Sequence, residues 1–96
     1  MSVGFIEEAV REETVPVTVS FTSGAKEVIK FGYSNAVALF GHHEMYHAGL
    51  ITIPKYYPSG TRLHLLDHGR IERLEVASLD LSKFVKEVGK FIANGH

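Results

Sequence analysis

The chain has 96 residues, 45% of them hydrophobic and 22% charged, with six histidines, no cysteine and a formal net charge of −1. A length of this order makes one domain, residues 1–96, small enough that oligomerisation is a natural source of extra stability. The lack of cysteine excludes a disulfide framework and fits a reducing cytoplasm; MSVGFIEEAVREE turns acidic too early for a signal peptide, and no apolar run reaches the roughly 20 residues of a membrane span.

In chain order, Phe5, Ile6, Ala9 and Val10 recur at helical spacing and predict an N-terminal helix over about residues 3–12. TVPVTVSFTSG follows, with Val15, Val17, Val19 and Phe21 alternating against Pro16, Thr18, Ser20 and Thr22, the pattern of a half-buried strand. Pro16 cannot donate to a ladder and belongs at the start or edge of that strand. Ser23-Gly24 turns the chain into AKEVIKFGY, whose Ile29, Phe31 and Tyr33 share a face. Residues 34–47 fit helix, strand or loop. GLITIPKYY reads as a third strand, Pro58-Ser59-Gly60 as a turn and TRLHLLDH as a fourth strand. Asp67-His68-Gly69 then reads as a tight hairpin into RIERLEVA, with Gly69 supplying a positive φ. A C-terminal helix over about 80–93, capped by Ser78 or Asp80, carries the stripe Leu81, Phe84, Val85, Val88 and Ile92. All five strands thus fall within residues 14–77, and a strongly bent antiparallel sheet of them would make a small open barrel flanked by two helices.

The charge is uneven. Glu7, Glu8, Glu12 and Glu13 crowd the start, and Lys83, Lys86 and Lys90 the end. Solvated helix faces account for this as readily as an acidic and a basic side do.

One motif carries possible metal chemistry. His43-Glu44-Met45-Tyr46-His47 is H-E-x-x-H, in which two histidines one helical turn apart share a zinc ion and the glutamate activates water. Ser34 could cap the required helix, Gly49 could end it, and His64, Asp67 or His68 could add a third ligand. Against this, Gly41 costs such a helix about 1 kcal/mol relative to Ala, and the chain is short for a substrate cleft. A polar loop with half-exposed rings of His42, His43 and His47 is the plainer reading, and no phosphate loop or nucleophile triad stands beside it.

The order helix, Val15-Pro16-Val17, alternating strand, glycine turn resembles the Sm-like family, above all its bacterial Hfq branch. LHLLDHGRIERLEV resembles the second family motif, with His68-Gly69 at the turn between the last two strands. MYHAGLITIP offers a competing register, with His47-Ala48 at the turn, Val37–Phe40 as the third strand and residues 61–76 as an extra hairpin. The resemblance implies a homo-oligomeric ring of about five to seven subunits, closed by pairing the fourth strand of one copy with the fifth of the next. It implies a non-catalytic module that binds single-stranded RNA or DNA and acts in nucleic-acid processing or regulation. Its contacts would come from His68, Gly69, Arg70, His64, Tyr33, Asn35 and His47. Two other readings stay open: zinc binding or metal-assisted hydrolysis through His43, Glu44 and His47, and an adaptor ring whose faces bind proteins.

Overall fold

A computed structural model of the chain describes residues 13–77 and 80–94. The helix expected over residues 3–12 lies outside that range, as does Ser78. The described elements are β1 (Thr14–Phe21), β2 (Lys26–Gly32), α1 (Tyr33–His47), β3 (Lys55–Ser59), β4 (Arg62–Leu66), a single 3-10 turn (His68–Arg70), β5 (Ile71–Val76) and α2 (Leu81–Ala93).

The strands do not form the single bent five-stranded sheet expected from the sequence, and they close no barrel. They divide into an antiparallel three-stranded sheet, ordered β2-β1-β5, and a separate two-stranded hairpin, β3-β4. Two local causes produce the division. Residues 33–47 form a helix that carries the chain away from β2 before β3 begins. Asp67-His68-Gly69 is not a hairpin either, because the Asp67 carboxylate accepts from the Gly69 N–H at 2.9 Å and caps a 3-10 turn. Gly69 stands apart from the glycines at positive φ, which are Gly24, Gly49 and Gly60. The turn sends β5 back to β1, pairing Val19 with Leu74 and Val17 with Val76, and leaves β4 beside β3 alone. The stretch that resembles the second Sm-like motif is therefore split between two sheets, and the third strand that the competing register requires at Val37–Phe40 is helical.

The alternation in β1 is realised from Val15 to Val19 but breaks after it, where Ser20 is buried and Phe21 half-buried at a shift in the β5 register. Val15, Val17 and Val19 are at most 1% exposed and form the core with Ile29, Phe31, Leu39, Tyr57, Ile71, Phe84 and Val88. Burial of each valine contributes about 1.5–3 kcal/mol. Pro16 lies opposite Lys30 of β2, beyond the end of the β5 ladder, which starts at Val17, so its missing N–H interrupts nothing there. Gly24, at φ 94°, makes the β1–β2 turn, and its N–H donates to the Phe21 carbonyl. The strand signal in GLITIPKYY is realised only in its last three residues, from Lys55 to Tyr57; Pro58 and Ser59, expected in the turn, continue β3, and the turn falls at Gly60-Thr61.

α1 begins at Gly32 without a side-chain cap, so Ser34 does not play that part. It ends as a glycine-terminated helix. Gly49 takes a φ of 77°, its N–H donates to the Tyr46 carbonyl at 3.0 Å, and Leu50 N–H donates to the Met45 carbonyl at 2.8 Å. Asp80 caps α2 by accepting from Lys83 N–H, and Phe84 and Val88 are that helix's buried residues. The two helices pack closely at Gly41, where a Cβ would overlap the Phe91 ring. Among the described residues no helix is long and apolar enough to cross a membrane.

Candidate histidine–tyrosine site

The helix that overturned the barrel also sets up the site. His43 and His47, four residues apart, lie one above the other on the same side of α1. Their Nε2 atoms are 3.2 Å apart, and the pair is exposed. The other ring nitrogen of His43, Nδ1, meets Nδ1 of His68 at 3.1 Å. His68 hangs from the 3-10 turn and is only 1% exposed. Its Nε2 lies 2.8 Å from the hydroxyl of Tyr57, a core residue of β3, and that hydroxyl lies 2.7 Å from Nδ1 of His42. Five side chains from three elements therefore form one continuous chain of four hydrogen bonds: His47, His43, His68, Tyr57, His42.

Neutral imidazole has one N–H and one acceptor nitrogen, so the chain can be satisfied in two ways. In the first, His42 Nδ1–H donates to Tyr57, Tyr57 O–H to His68 Nε2, His68 Nδ1–H to His43 Nδ1, and His43 Nε2–H to His47. In the second, all four donors and acceptors are reversed. Either arrangement pairs every inner polar atom, as burial demands.

Electrostatics favour the neutral form of the two inner rings, His68 and His43. Burial lowers the His68 pKa to about 4, with further lowering from His43 and His42 and opposition from the Asp67 carboxylate. Burial, aided by His47, lowers that of His43 to about 4 as well. Burial raises the Tyr57 pKa, which keeps the phenol protonated. Packing holds the rings in place: Tyr57 meets Phe31 edge-on at 6.4 Å, and His42 meets Phe91 of α2 at 5.1 Å.

The structure brings together His47 and His68 from the sequence-predicted set, with His43 between them. Gly69 and Arg70 follow in the same turn. Arg70 is 83% exposed, 3.9 Å from Asp67, and lines an open cleft of about 500 Å³ with Phe21 and Leu65. His64 sits apart from the hydrogen-bonded chain, half-buried with its ring edge-on to Phe31 at 5.8 Å. Tyr33 and Asn35 stand at the opposite end of α1 from His47, about 20 Å away at 1.5 Å per residue. Tyr33 packs edge-on against Phe84, and its hydroxyl has no hydrogen-bond partner among the described residues. Glu44 lines a groove with Phe40, Val85 and Val88 on the side facing α2, outside the histidine chain. Asp67 is committed to its own turn. Among the described residues no three or more His, Asp or Glu side chains converge on one point suited to an ion.

Sequence reasoning missed Tyr57 and did not foresee His42 as a partner. Tyr56 and Tyr57 are adjacent in a strand and point to opposite faces, so only the packing of the hairpin shows which one enters the core. Comparison with known families, curated proteins and solved structures finds no match to this chain.

Proposed function

We propose that the protein binds a divalent transition metal of the zinc class through Nε2 of His43 and Nε2 of His47. The observation that carries this reading is their 3.2 Å separation on the exposed side of α1. Two imidazoles bound to tetrahedral zinc at 2.0–2.1 Å hold their nitrogens about 3.3–3.4 Å apart, so the separation already matches, and the rings, whose centroids are 4.5 Å apart, would turn to aim both lone pairs at the ion. Support comes from behind the pair. A histidine that gives one nitrogen to a metal normally donates its other N–H to a fixed acceptor, which sets the tautomer. Here that acceptor is His68 Nδ1, held in turn by Tyr57. With His43 neutral at pH 7, no proton has to leave its ring first. Two protein ligands leave the remaining positions to water. Glu44, turned toward α2, argues for binding rather than the hydrolysis that H-E-x-x-H would suggest. Single-stranded nucleic acid is the weaker reading, because the expected contact His68 is buried with both ring nitrogens engaged.

Thermal unfolding of tag-free protein with and without zinc chloride tests this. Zinc at about 100 times its dissociation constant adds about 2.7 kcal/mol, a rise of about 10–20 °C for a chain of this length. His47→Ala should abolish the rise, while His64→Ala, outside the chain of rings, should retain it. An unmoved melting temperature in the parent protein, or an undiminished response in His47→Ala, overturns the proposal.

A further inference from the structure

The β3–β4 hairpin has an unusual outer face. Its inner face holds the buried Tyr57 and Leu66, with the half-buried His64 directly opposite Tyr57. The outer face of a two-stranded antiparallel sheet is ordinarily polar. Here it consists of Tyr56 opposite Leu65 and Pro58 opposite Leu63, all four exposed and none charged. Tyr56 is 63% exposed, Leu63 62% and Leu65 54%, and Ile53, just before β3, is 63% exposed. No strand beyond β3 and β4 belongs to this sheet among the described residues. A two-stranded sheet alone is marginal in water and gains from cover on its open face.

We infer that this face is the contact surface of a symmetric homodimer, two copies packing hairpin against hairpin about a two-fold axis. The exposed parts of Tyr56, Pro58, Leu63 and Leu65 amount to about 400 Å² per copy, so a pair would bury about 800 Å² of this face alone, the scale of a weak, concentration-dependent dimer rather than an obligate one. The four side chains of the face carry no charge, and Asp67 and Arg70 enter only in the cleft that Leu65 also borders. A second copy necessarily brings an identical uncharged patch, which is what an isologous contact requires. With a net charge of −1, two chains do not repel each other at long range. The inference stands on the hairpin alone and is independent of the metal reading.

Sedimentation velocity from about 1 to about 100 µM, with EDTA present so that no metal bridges the copies, tests the pairing. The parent chain should move from monomer to dimer across that range. Leu63→Glu combined with Leu65→Glu should raise the dimer dissociation constant at least about 100-fold, because each glutamate would be buried against an apolar surface. Both positions are exposed in the monomer, so the circular dichroism spectrum should be unchanged. Tyr56→Ser, which adds no charge, should weaken the dimer in the same direction and serves if the double variant fails to fold. A parent chain that stays monomeric at the highest concentration overturns the inference, whether the patch is then covered by its own residues 1–12, a lipid surface or another protein. So does a dimer that both variants leave unchanged.

Discussion

Acidification should loosen this protein through His68, and the size of the effect follows from its burial. The ring ionises near 6.5 in an unfolded chain and near 4 in the fold. The unfolded chain therefore binds a proton that the folded one refuses, and stability falls as pH drops through the window from about 6.5 to about 4. The sign is that of any group with a lowered folded pKa: full stability above the unfolded value, progressive loss below it. Between pH 7 and pH 5 the loss is about 2 kcal/mol for His68, rising toward about 3 kcal/mol once the folded ring itself protonates. His43 shifts the same way but is half-exposed, and solvent screening reduces its share. The assay is urea unfolding at pH steps from 7.5 to 4.5 with EDTA present, comparing the parent chain with His68→Gln, whose amide does not titrate. The variant should be less stable at pH 7 through lost packing, yet its decline to pH 5 should be smaller than the parent's by about 2 kcal/mol. A parent chain whose stability is flat over this range, or a variant that declines as steeply, would refute the reasoning.

Two substitutions test the packing around the site. Tyr57→Phe keeps the ring but leaves His68 Nε2 and His42 Nδ1 without the hydroxyl between them. It should cost about 1–3 kcal/mol in chemical denaturation, and a change near zero would mean that the hydroxyl is dispensable. Gly41→Ala should also destabilise by about 1–3 kcal/mol, against the gain that alanine normally brings to a helix, because its methyl would collide with Phe91. A more stable variant would show that α2 yields readily there.

The elements legible in the sequence were those whose pattern is set by one face. β1 was readable because every second residue from Val15 to Val19 enters the core, and α2 because Asp80 caps a stripe running through Phe84 and Val88. α1 was not, since its buried residues, Ala36, Val37, Leu39, Gly41 and Met45, form no single clean stripe. Gly41, read from the sequence as a cost to that helix, is there because the α2 side chain Phe91 approaches so closely. The error at Asp67-His68-Gly69 decided the fold class. The same three residues satisfy a hairpin turn and a capped 3-10 turn, and only the destination of β5 distinguishes them. At the site, the spacing of His43 and His47 was visible. Their links to His68, Tyr57 and His42 were not, because these contacts span from 11 to 25 positions of chain.

The glycine at position 41 has one more consequence. By letting α2 approach, it brings Phe91 onto the imidazole of His42, the far end of the row that starts at the solvent-facing His47 and passes through the buried His68 and Tyr57. Whatever occupies the outer nitrogens dictates where each hydrogen further in must reside, and so which nitrogen of His42 bears one beneath the helix–helix seam. A surface event is thus registered at the contact between the two helices by hydrogens alone, with no heavy atom obliged to leave its place.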